Sequence, residues 1–76
     1  MREQLAELAH KQWSGWIYYM FGKSKLLPDG RLIIPKWAVD RWTRQADTPY
    51  AELSEKEKDS DRTEADKFIA LFEFKK

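Results

Sequence analysis

The chain is predicted to be a mainly α, compact three-helix domain with a small β-hairpin, spanning residues 1–76 as one unit. Three observations predict this. Apolar residues recur at spacings of three and four near both ends of the chain, which is the helical period. A Pro28-Asp29-Gly30 turn in the middle separates two short apolar pieces, the pattern of a hairpin. At 76 residues the chain has room for one core only.

The first helix runs from Arg2 to about Phe21. Leu5, Leu8, Ala9, Trp13, Trp16, Ile17 and Met20 form its apolar stripe. Gly15 interrupts that stripe at roughly 1 kcal/mol relative to Ala, so it is expected to mark a close approach of another element or a slight kink. Gly22 is expected just past the helix end, where a left-handed residue is favoured. Leu26-Leu27 and Leu32-Ile33-Ile34 flank the turn as the two hairpin strands. A two-stranded ribbon is stable only when packed on something else. Pro35 then suits the first turn of a second helix ending near Gln45, with Trp37, Ala38, Arg41, Trp42 and Gln45 along one face. Asp47-Thr48-Pro49-Tyr50 reads as a turn. Ser54 and Glu57 have the spacing of a capping box, which starts the third helix near Ser54. Its first turns, Glu55 to Arg62, are charged. Its last turns place Ala65, Phe68, Ile69 and Phe72 at helical spacing, with Phe68 and Phe72 leading the expected packing set.

Composition narrows the function. There is no cysteine and one histidine, so a disulfide scaffold, a zinc finger and an iron–sulfur cluster are excluded. No metal site and no cofactor are expected. No apolar run reaches membrane-spanning length and no signal-peptide pattern opens the chain, which points to a cytoplasmic protein without a membrane partner. Four Trp, four Phe and three Tyr are left to supply the packing. The net charge of +1 conceals an asymmetry: residues 1–46 carry +4 and residues 47–76 carry −3. Opposite halves suit self-association by charge complementarity, or a basic pocket backed by an acidic helix. A nucleic-acid domain carries a larger basic excess, so nucleic acid is not the expected partner.

One constellation stands out. His10, Trp13 and Trp16 lie on the first helix, Trp37, Arg41, Trp42 and Arg44 on the second, and Tyr50 in the following turn. Trp37 and Arg41 are four apart, so the guanidinium can lie against the indole. Indole faces beside a planar cation make a stacking platform for a purine, and equally they are large hydrophobes that can serve as core. His10 is the one histidine available for acid–base work, but a lone His three residues before a Trp reads as a hydrogen-bonded structural group. Asp61 falls on the expected buried face of the third helix, next to Arg62. A carboxylate there needs a partner, which Arg41, Arg44 or the hydroxyls of a ribose could supply. No nucleophile elbow, glycine-rich phosphate loop or paired carboxylates occur, so no enzyme is expected.

Two motifs resemble a known family. His10-Lys-Gln-Trp13, followed by Gly15-Trp16, and the segment from Tyr50 through Leu53, Glu57 and Lys58 to Asp61-Arg62 resemble the RyR domain, the ryanodine receptor repeat that also occurs as stand-alone bacterial and phage copies. The resemblance implies a helical, non-enzymatic binding module with a small β element. In the receptor, paired repeats hold adenine nucleotide between Trp side chains, and prokaryotic copies are linked to nucleotide-derived signals in phage–host conflict. The expected function is recognition of a nucleotide-type small molecule by His10, Trp13, Trp16, Trp37, Arg41, Arg44, Tyr50, Asp61 and Arg62. The alternative is a protein-interaction module acting as a homodimer or on a host protein.

Overall fold

A computed structural model describes residues 1–74. The element order is α1 (Arg2–Lys23), β1 (Lys25–Leu26), β2 (Leu32–Ile33), α2 (Lys36–Asp47), a single 3₁₀ turn at Tyr50–Glu52, and α3 (Glu55–Phe74). The three helices and the hairpin read from the sequence are all present.

α1 is 22 residues long, which at 1.5 Å per residue is about 33 Å. It runs two residues past the expected end and carries Gly22 inside its last turn. The stop comes from Ser24, whose backbone is extended (φ −98, ψ 159). Its hydroxyl donates to the Met20 carbonyl at 2.8 Å and its N–H to that of Phe21 at 3.1 Å. Two of the free carbonyls of the last turn are thereby satisfied, and no left-handed residue is needed. Gly15 marks no close approach of another element, because a Cβ placed there would meet nothing within 4 Å.

The hairpin pairs Lys25 with Ile33 and Leu26 with Leu32, antiparallel. Gly30 donates to the Leu27 carbonyl at 3.0 Å, closing the turn over Pro28 and Asp29, and takes the positive φ of 90 that this loop demands. The Asp29 carboxylate accepts from the Arg31 backbone at 3.1 Å and from its guanidinium at 2.7 Å. Pro35 precedes α2 with φ −65, and its carbonyl accepts from Ala38 and Val39. Thr48 ends α2 by donating its hydroxyl to the Arg44 carbonyl at 2.6 Å.

The capping box forms as expected. Glu57 N–H donates to Ser54 Oγ at 3.2 Å, and Ser54 N–H donates to Glu57 Oε1 at 3.2 Å.

α1 packs on α3, where the Gln12 amide donates to the Glu64 carbonyl at 3.4 Å. Trp16 and Asp61 share a depression one turn further along each helix, so the two run in opposite directions. α2 covers only one end of this pair. Trp42 reaches Trp16 and Tyr19, while Arg44 reaches Glu57 at the start of α3. At the other end, α1 and α3 form an arm of two helices without a third element, with Leu5, Leu8, Phe68 and Leu71 half-buried. Ala38 is the buried hydrophobic residue among those described. Phe72, expected in the packing set beside Phe68, is half exposed: α1 covers α3 along Glu64, Phe68 and Leu71, and Phe72 falls to the side of that line.

Candidate functional site

The site is a cleft where the three helices converge. Its wall on α1 is built by Trp16 and Tyr19, three apart and therefore on one face, with ring centroids 5.7 Å apart. α2 adds Trp42, which meets Trp16 edge-on at 5.0 Å and 71° and lies 6.2 Å from Tyr19. Edge-to-face packing sets the positive rim of one ring against the negative face of the other. It also keeps part of each indole open, and Trp16 remains 44% exposed.

Behind Trp16 and Trp42 lies a depression of about 400 Å³, also lined by Gln45, Thr48, Tyr50, Leu53 and Asp61. It adjoins a wider cleft of about 1330 Å³ that shares Trp16, Trp42, Gln45 and Asp61 and adds Arg41, Lys11, Lys56 and Lys67. Gly15 lies on the wall of the wider cleft, and its missing side chain leaves that wall open.

The charges on this wall are of two kinds. Arg44 donates to Glu57 at 2.9 Å. Glu57 is only 12% exposed, and its carboxyl is held below the ordinary value of 4.5, first by the Arg44 guanidinium and then by the Ser54 hydroxyl and N–H. Lys11 pairs with Glu7 at 3.5 Å and Lys67 with Glu64 at 3.0 Å. Arg41 and Lys56, by contrast, make no ion pair among the described residues. The other oxygen of Glu64 is buried without a donor among the described residues.

Trp16, Arg41, Arg44, Tyr50 and Asp61 of the expected set thus come together around the cleft. Four others do not line it. His10 stacks on Trp13 at 6.1 Å and 23°, and Trp13 is 59% exposed rather than core. Trp37 touches the cluster only at its margin, 6.3 Å from Trp42. Arg62 is held by Glu55 at 3.0 Å and Asp59 at 2.7 Å, which raises its pKa and holds the Glu55 carboxyl down. Asp61 departs from the buried position expected of it: it is exposed on the cleft wall and makes no ion pair among the described residues, because α1 covers the adjacent line of α3 instead. Arg41 is not stacked on Trp37 either. The cations over rings among the described residues are Lys23 on Tyr19 at 5.5 Å and Lys58 on Tyr50 at 5.8 Å.

Trp42, Tyr19, Gln45 and Lys56 also belong to the cleft but were absent from the expected binding set. The Trp16–Tyr19 spacing was a readable signal for Tyr19. Nothing local marks Lys56, which arrives through the packing of α3. Among the described residues, no group of three or more metal-ligating side chains is placed to hold an ion, and no helix is long and apolar enough to cross a membrane. No protein-family model, curated protein or solved structure matches the chain.

Proposed function

We propose that the chain is a non-enzymatic binding module whose interhelical cleft takes a nucleotide or nucleotide-derived small molecule. The observation that carries this reading is the placement of Arg41, which makes no ion pair among the described residues, on the same cleft as the exposed indole of Trp16 and the half-buried indole of Trp42. A depression of about 400 Å³ is within the range of small-molecule sites. It is apolar on its indole side and polar at Gln45, Thr48 and Asp61. In this arrangement the base stacks on Trp16 or Trp42, and Asp61 accepts from ribose hydroxyls. The phosphates extend into the wider cleft toward Arg41 and Lys56, whose charges are not spent on a carboxylate among the described residues. The resemblance to RyR domains supports the same ligand class and makes a role in phage–host conflict the context to examine.

Titration of intrinsic Trp fluorescence with ATP, ADP-ribose and cyclic dinucleotides tests this. Saturable quenching is expected, weakened about tenfold in Arg41→Gln, which is the size of one charge-assisted contact. Adenosine, lacking phosphate, should bind wild type and Arg41→Gln equally. No fluorescence change at millimolar concentrations of all three nucleotide classes overturns the reading.

A further inference from the structure

The cleft accounts for only part of the aromatic and aliphatic surface this chain exposes. Its accessible surface is 6363 Å². A folded monomer of 9.1 kDa presents about 4,900 Å², so each chain shows an excess of about 1,500 Å². Its Cα radius of gyration is 15.7 Å, against about 11 Å for a self-contained domain of this length. The thinnest dimension is 15 Å against 50 Å for the longest.

Part of that excess lies on the two-helix arm. Ala65, Ile69 and Phe72 are four and three residues apart and form one stripe along α3. Ile69 and Phe72 are 51% and 52% exposed. This stripe runs beside the one that α1 covers, so the arm is apolar on a face that meets no other element among the described residues. Two helices form a single layer, and a helical domain needs a second layer to close its core.

We infer that the second layer is a second copy of this chain, packed arm against arm about a twofold axis so that two α1 and two α3 helices make a four-helix core. Two arguments select a copy over another partner. The first is area. About half of that excess from each chain is already enough, since a specific, stable interface takes about 800 Å² per partner. The second is charge. Both signs occur along the arm, Arg2, Lys11 and Lys67 against Glu3, Glu7, Glu64 and Asp66, and the Glu7–Lys11 and Glu64–Lys67 pairs neutralise one another within the chain. An apposed copy meets no block of like charge, whereas a strongly charged partner gains nothing there. Ile69 and Phe72, which carry the contact, do not line the cleft, so the inference does not rest on the ligand reading.

Light scattering and sedimentation of the chain without ligand provide the test. Wild type is expected at twice 9.1 kDa at micromolar concentration, with a melting temperature that rises with concentration. Ile69→Glu places a carboxylate from each copy in the closed core and is expected to weaken association at least about a hundredfold. Leu26→Glu, on the hairpin at 68% exposure, is the control and is expected to remain dimeric. Should Ile69→Glu fail to fold, the concentration dependence of wild-type melting decides the matter. Wild type that is helical and monomeric at every concentration, with a concentration-independent melting temperature, overturns the inference. So does dissociation by Leu26→Glu with Ile69→Glu still dimeric.

Discussion

The α2 end and the two-helix arm are built from the same two long helices, yet they hold together differently. At the α2 end, Trp16 and Tyr19 of α1 meet Trp42, Trp37 stands at the margin, and Ala38 is sealed. In the arm, Leu5 and Leu8 face a partner on one side only, and Ile69 and Phe72 face none. Apolar spacing is equally regular in both regions. What differs is the number of elements available to cover each stripe, and that number sets how much each side chain contributes to stability.

The sharpest way to break this comparison is to truncate one side chain in each region. Trp42→Ala removes the ring on which Trp16, Tyr19 and Trp37 converge and is expected to cost about 3 kcal/mol in urea unfolding, the lower end for an aromatic deletion because Trp42 is only half-buried. Phe68→Ala in the arm is expected to cost about 2 kcal/mol, since Phe68 is half-buried where only two helices of the chain meet. A larger loss at Phe68 than at Trp42 would reverse the ranking of the two regions.

Ser54→Ala removes the hydroxyl that accepts from Glu57 N–H and is expected to cost about 1 kcal/mol. Because the cap sits at the α2 end of α3, hydrogen exchange should rise first in the turns around Glu57 and leave the arm protected. Gly15→Ala should act in the opposite direction. Open space surrounds that position, so the added methyl is expected to raise stability by just under about 1 kcal/mol through helix propensity. A loss instead would mean that the wall of the cleft is closed there.

The smallest expected effect is electrostatic. Glu57 is held below 4.5 chiefly by Arg44, and Glu55 by Arg62. A carboxyl lowered in the folded state stabilises it fully above the unfolded value and loses that contribution as pH falls through the lowered one. The melting temperature should therefore decline on acidification below 4.5, and Glu57→Gln should flatten the decline. Added salt should weaken the contribution of Glu55 and Arg62 more than that of Glu57 and Arg44, because the Glu57 side chain is the more enclosed.

Much of the fold was legible because its signals are local. Ser54 and Glu57 are three residues apart and form their box through their own backbone. Pro28-Asp29-Gly30 closes its own turn, with Gly30 at positive φ. The candidate site was legible in its residue types and less so in its membership. Trp16, Arg41 and Asp61 meet across three elements. Trp13 and Trp37 carry the same indole but sit at other angles on their helices, outside the cleft. Gly22 misled for a similar reason: glycine is permitted at a helix end, but it was the Ser24 hydroxyl that ended the helix.

The sequence by itself determined the helices, the hairpin and the start of α3, because spacing, capping and turn chemistry act within a few residues. Only the tertiary structure decided which faces are covered. Asp61, Ile69 and Phe72 lie beside the line where α1 meets α3, and a sideways offset of part of a turn separates a packed residue from an exposed one. That offset arises from the fit of side chains distant in sequence, such as Gln12 on Glu64 and Trp16 on Trp42. It turned an expected core into a cleft at one end and an uncovered arm at the other.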